Sequence, residues 1–118
     1  MIARALAQET PVLLLDEPTA NLDMCHQLDV LALVRTLVDN GHLAIASLHD
    51  LSMASRFCDR LLLVSNGRIV ADGSPSQVLT EANLINYFLV EARIAPGIHG
   101  GGIAVTPLVS CSPNLRAR

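Results

Sequence analysis

Two adjacent acids and a distant imidazole carry the chemistry legible in this chain. Asp16 and Glu17 follow the unbroken apolar run Val12-Leu13-Leu14-Leu15, and His49 follows a second run, Leu43–Ser47. One carboxylate can hold a hard cation such as Mg²⁺ through oxygen or water. A second can orient or deprotonate a water, and a histidine can donate to a phosphate oxygen. That inventory suits phosphoryl transfer, which is mostly positioning plus charge neutralisation. Taken singly, an Asp-Glu pair after a strand is an ordinary solvated turn, and Asp50 beside His49 an ordinary helix cap. The joint spacing is what sets them apart.

The elements that must position these groups form an α/β pattern. Val12–Leu15 lacks alternation, which suits a strand buried on both faces of a parallel sheet, and Asp16-Glu17-Pro18 ends it because proline cannot donate to a ladder. A helix is expected from Met24 to Asp39, with Leu28, Leu31, Val34, Leu37 and Val38 on one face and Asn40-Gly41 as its stop. Leu43–Ser47 is the second strand. Together they predict a right-handed parallel βαβ unit. The C-terminal ends of both strands then share the sheet edge where ligands of open α/β sheets bind, with Asp16, Glu17 and His49 facing a common ligand. Asp23 is placed to cap the intervening helix.

Further along, Asp50 can cap a short helix bearing Leu51, Ala54 and Phe57 on one face. Arg60–Val64 and Arg68–Ala71 flank Asn66-Gly67, a strong hairpin signal. Ser74, Pro75 and Gln77 form a capping box, and another short helix is expected over Glu81–Phe88. Ile2–Gln8 reads as the end of a helix, Glu91–Ala95 with Ile103–Pro107 as a loose hairpin around Gly100–Gly102, and the last ten residues as frayed.

Composition narrows the classes. With 118 residues, 51% hydrophobic, 16% charged and a mean hydropathy of +0.43, the chain is neither disordered nor, having no apolar run near ~20 residues, membrane-spanning. Met1–Ala7 carries no apolar signal-peptide core. A net charge of −3 argues against nucleic acid as a partner. Three cysteines, Cys25, Cys58 and Cys111, leave one over in any disulfide scheme and favour a reducing cytosol. Two tempting motifs fail on spacing. Cys25-His26 with His49 and Cys58 fits no usual zinc pattern. His99-Gly100-Gly101-Gly102 lacks the serine elbow that would make it an oxyanion loop.

The joint pattern resembles the ATP-binding-cassette (ABC) ATPases. Val12-Leu13-Leu14-Leu15-Asp16-Glu17 is similar to the Walker B strand, Ala20-Asn21-Leu22-Asp23 to the D-loop, and Ser47-Leu48-His49-Asp50 to the switch-histidine loop. Ile2-Ala3-Arg4-Ala5-Leu6 is similar to the helix after the LSGGQ segment, and Arg60–Val64 with Asn66-Gly67-Arg68-Ile69 and Gly73 to the hairpin beyond the histidine. The resemblance covers roughly Met1–Asn86 and implies part of a P-loop NTPase core, over 1–88, followed by a tail over 89–118. It implies that Asp16 holds Mg²⁺, Glu17 polarises the attacking water, His49 touches the γ-phosphate of ATP, and Asp23 couples two cassettes across a dimer interface. Helix capping stays open for Asp23 alongside that role. It also implies a transmembrane permease and a second cassette as partners, at the cytoplasmic face of the membrane. The stretch Tyr87–Val105 and Ser47-Leu48-His49-Asp50-Leu51 look like importer cassettes for iron-siderophore, haem or cobalamin. A soluble non-transport cassette and a non-catalytic remnant are the alternatives.

One departure from that pattern is chemical. All eight basic residues are arginines, so a phosphate loop of G-x-x-x-x-G-K-[ST] type, whose lysine reaches the phosphates, cannot lie in this chain. The LSGGQ segment and the glutamine loop are also absent. The expectation is therefore the C-terminal half of a cassette, unable by itself to bind or hydrolyse ATP appreciably.

Overall fold

The computed structural model describes residues 11–97 and 102–111. These divide into two compact units, one ending at His49 and the other starting at Asp50. The expected helix over Ile2–Gln8 and most of the glycine turn lie outside the described residues.

In the first unit, β1 (Val12–Asp16) and β2 (Leu43–Ser47) pair in parallel, from Val12 opposite Leu43 to Asp16 opposite Ser47, with α1 (Met24–Asp39) between them in sequence. The helix starts where its cap dictates: the Asp23 carboxylate accepts from the His26 N–H at 2.9 Å. It stops through a Schellman arrangement, in which His42 N–H donates to Leu37 O at 3.1 Å and Gly41 N–H to Val38 O at 3.0 Å. Gly41 has φ +101, a conformation for which glycine is suited. Arg35 and Asp39, one turn apart, pair at 2.8 Å on the helix surface.

Burial corrects one expectation. Leu13 and Leu15 are buried, as is Leu31 on α1, but Leu14 is 71% exposed and Leu43 and Ile45 are 56% and 53% exposed. The strands thus alternate, and among the described residues only one face of the pair is covered. On α1 the expected apolar face is graded: Leu31 is buried, Val34, Leu37 and Val38 are half-buried, and Leu28 is exposed.

The second unit begins with α2 (Leu51–Phe57), capped by Asp50, which accepts from the Met53 N–H at 3.0 Å. An antiparallel hairpin follows, β3 (Leu61–Ser65) and β4 (Arg68–Gly73), turning through Asn66 at φ +51 and Gly67 at φ +74. Positive φ at both central residues is the signature of the turn expected from Asn-Gly. Arg60 grips Asp72 across the hairpin with two bonds, Nε to Oδ1 at 2.6 Å and Nη2 to Oδ2 at 2.5 Å. Next come α3 (Pro75–Val78), where Gln77 Oε1 accepts from the Ser74 N–H at 3.0 Å, and α4 (Glu81–Phe88), capped by Thr80.

The expected hairpin over Glu91–Ala95 and Ile103–Pro107 is present and reaches further along the chain. β5 (Val90–Pro96) and β6 (Ile103–Ser110) form an antiparallel pair whose register shifts between Glu91 and Ala92, so Val109 and Ser110 are strand rather than frayed chain. Two serines of α2 explain the order: Ile103 N–H donates to Ser55 Oγ at 2.8 Å and Val105 N–H to Ser52 Oγ at 3.1 Å. Ala54, Leu63, Val78, Leu79, Leu84 and Ala92 are the buried apolar side chains of this unit. No helix among the described residues is long and apolar enough to cross a membrane.

Candidate functional site

The parallel register decides what meets at the end of β1. Asp16 is its last residue and lies opposite Ser47, the last residue of β2. Ser47 Oγ donates to Asp16 Oδ1 at 2.9 Å and accepts from the Glu17 N–H at 2.8 Å. Beyond Asp16 the chain leaves the extended conformation: Glu17 has φ +46, and Ala20 N–H closes a turn by donating to Glu17 O at 3.0 Å. Two residues past β2, His49 brings Nε2 to 2.5 Å from Glu17 Oε1. With Glu17 ionised, Nε2–H is the donor, because a carboxylate can only accept. His49 remains 84% and Glu17 46% exposed in their side chains. Exposed ion pairs of this kind are worth about 0–1 kcal/mol, so a ligand carrying its own negative charge can displace one partner from the other.

Asp16, Glu17 and His49 are therefore brought together on one strand edge. Asp23 is engaged elsewhere. It caps α1, and its Oδ1 also lies 2.7 Å from His26 Nδ1. The hydrogen bond from the His26 amide, then the one from its ring, hold the Asp23 carboxyl below the ordinary aspartate value of 3.8. Gln27 ties the loop before the helix in place, its Nε2 donating to Leu22 O at 3.0 Å. Ser47 is the residue whose part was not read from the sequence. The signal was available: a lone polar side chain ending an apolar strand, opposite an acid once the strands pair in register.

As a cation site the arrangement has a definite character. Its donors are hard carboxylate oxygens, and among the described residues no group of three or more His, Cys, Asp or Glu gathers to form a protein cage. Mg²⁺ takes one or two carboxylates and fills its other positions with water and phosphate oxygens. Asp16 at an exposed strand end fits that demand. The carboxyl edge of a parallel βαβ unit is where open α/β sheets bind their ligands.

Comparison with known proteins narrows the class. No family model matches the chain. It is 48% identical over 111 residues to the cobalamin import ATP-binding protein BtuD of Halobacterium salinarum, covering 92% of this chain and 27% of that protein. It is 43% identical over 89 residues to the hemin import ATP-binding protein HmuV of Pseudoalteromonas translucida, covering 75% of this chain and 34% of that protein. Among solved structures, a metal-chelate type ABC transporter in an inward-facing conformation superposes with a TM-score of 0.78 at 27% identity, covering 92% of this chain and 44% of its own. The proteins this chain resembles are ABC importer ATP-binding proteins. Its described residues have the fold of that P-loop NTPase group, and its relatives BtuD and HmuV are ATP-binding proteins of importers. The chain spans about a quarter to a third of the length of those two relatives.

Proposed function

We propose that this chain supplies the water-activating edge of an ATP-hydrolysing cassette that energises an importer. The observation that carries the reading is the convergence of Asp16, Glu17 and His49 on one strand edge, with Glu17 Oε1 2.5 Å from His49 Nε2. In this reading Asp16 is the carboxylate for Mg²⁺, which when bound offsets charge on the phosphates. Glu17 accepts a proton from the attacking water, and His49 turns its Nε2–H from Glu17 to a terminal phosphate oxygen. The weak, exposed Glu17–His49 pair is the resting arrangement that nucleotide replaces. Asp23 stays the cap of α1 and, on the outer surface of the D-loop turn, also meets a second cassette.

The phosphate cradle itself falls to polypeptide other than these 118 residues, since the chain has no lysine. Residues 1–88 belong to the cassette and 89–118 to a tail, whose described strands form a hairpin held through Ser52 and Ser55. A transmembrane permease is the partner, the cytoplasmic face of the membrane the location, and a metal chelate or tetrapyrrole (iron-siderophore, haem or cobalamin) the cargo class. The names of the two relatives support that class.

Two measurements test this. Titration of the chain alone with labelled ATP and Mg²⁺ is expected to show no submillimolar binding, and such binding would refute the division of the site. In the complete cassette, Glu17→Gln is expected to keep ATP binding and lower turnover by about 10²–10⁴-fold, the usual contribution of a general base. Unchanged steady-state hydrolysis would remove Glu17 from that role.

A further inference from the structure

We propose that Ser47 is a positioning residue that sets both carboxylates of the site at once. The inference rests on the phosphoryl-transfer reading of Asp16 and Glu17. A serine hydroxyl carries one donor and two acceptor positions. Here the donor is spent on Asp16 Oδ1 at 2.9 Å and an acceptor on the Glu17 N–H at 2.8 Å. The two bonds act on different parts of the site. The first fixes the rotation of the Asp16 carboxylate, leaving its second oxygen for a cation. The second acts on the backbone just where it is least comfortable.

Glu17 sits at φ +46 directly before Pro18. A residue preceding proline prefers an extended conformation with negative φ, and a non-glycine residue at positive φ persists only when its surroundings over-determine it. The amide bond to Ser47 is a long-range restraint, spanning 30 residues. The turn bond from Ala20 N–H to Glu17 O is local. A local turn can re-form in several ways, whereas the bond to Ser47 ties the turn to the neighbouring strand and hence to the direction in which Glu17 meets His49. Ser47 touches neither nucleotide nor water in this scheme. It acts through Asp16 and Glu17, and its side chain faces no other acid at hydrogen-bond distance among the described residues.

The test uses the full 118-residue chain, isotope-labelled, as wild type, Ser47→Ala and Ser47→Thr. Amide exchange at Glu17 is compared with exchange at Leu13 and Ile45, which report whether the strands remain paired. Broadening of the Asp16 and Glu17 carboxylate signals by Mn²⁺ alone reports the cation position. Ser47→Ala is expected to speed Glu17 exchange at least tenfold while Leu13 and Ile45 stay within about twofold, and to weaken the Mn²⁺ effect at Asp16. Ser47→Thr, which restores the hydroxyl, is expected to recover both. Unchanged Glu17 exchange in the alanine variant overturns the proposal, as does failure of threonine to rescue it with the strands intact. The exchange effect in Ser47→Ala together with no Mn²⁺ broadening at Asp16 of the wild-type chain overturns the metal reading and leaves the clamp standing, so the two failures are distinct.

Discussion

Two glycines in the second unit share a backbone conformation and differ in what surrounds them, which separates two energies usually measured together. Gly67 has φ +74 and Gly102 φ +72. A Cβ added at Gly67 meets nothing within 4 Å, whereas at Gly102 it would lie 2.7 Å from Arg56 Cα, 2.8 Å from Arg56 N and 2.8 Å from Ser55 Oγ. Gly67→Ala therefore carries only the conformational penalty, about 1–2 kcal/mol for an L residue in the left-handed region. Gly102→Ala carries that and the displacement of a helix backbone, for which overpacking adds about 1–3 kcal/mol. Because two of the three close atoms are backbone, α2 must shift as a body. The bonds from Ile103 and Val105 to Ser55 and Ser52 are then the first to be lost. Thermal unfolding followed by circular dichroism is expected to rank wild type above Gly67→Ala above Gly102→Ala. At about 4–8 °C per kcal/mol for a unit of this size, the second step is at least several degrees. Amide exchange at Ile103 and Val105 is expected to accelerate only in Gly102→Ala. Equal losses in the two variants would refute the close approach of the hairpin to α2.

Burial on one face of β1 predicts unequal costs for neighbouring leucines. Leu15→Ala, at a site 4% exposed, is expected to lose about 2–5 kcal/mol in urea unfolding, whereas Leu14→Ala, at 71% exposure, stays within about 0.5 kcal/mol. Asp23 and Asp72 both titrate below the ordinary aspartate value of 3.8, Asp23 through the His26 amide and ring and Asp72 through Arg60. A depressed carboxyl contributes stability that is fully present above the unfolded value and lost as pH falls through the folded one. Acid titration of the chain by circular dichroism should therefore show α1 and the β3–β4 hairpin weakening only below about pH 4. Asp72→Asn should flatten the hairpin's share of that loss, and an unaltered acid profile would dismiss the Arg60 pair as a contributor.

Local signals were read well where the chain settles its own structure. The Asp23 cap and the Asn40-Gly41 stop bound α1 at Met24 and Asp39, and Asn66-Gly67 turns the β3–β4 hairpin, because caps and tight turns are decided within a few residues. Burial on both faces, expected for β1, is not found. An unbroken apolar run says that a strand can be covered on both faces, while the cover itself is a property of other elements. The β5–β6 hairpin is legible over Glu91–Ala95 and Ile103–Pro107, but its extension to Ser110 is not, since its anchors, Ser52 and Ser55, lie about fifty residues away in sequence. At the site, Asp16, Glu17 and His49 were legible because strand ends of a βαβ unit share an edge. Ser47 was not, because its bonds exist only once Asp16 and Ser47 are in register.

The backbone between the two acids is what keeps Glu17 from continuing the strand alternation that Asp16 ends. Successive side chains of a strand point to opposite faces, so Asp16 and Glu17 in a strand that continued would be divided by the sheet. β1 ends at Asp16, and φ +46 at Glu17 breaks the alternation at the one bond where it matters. Pro18 keeps the strand from resuming, since it has no N–H for a ladder. The Ser47 hydroxyl then holds the new direction from across the sheet, so that Glu17 reaches His49 at 2.5 Å. An acidic pair after an apolar strand is common; what distinguishes this one is that the strand stops between its members.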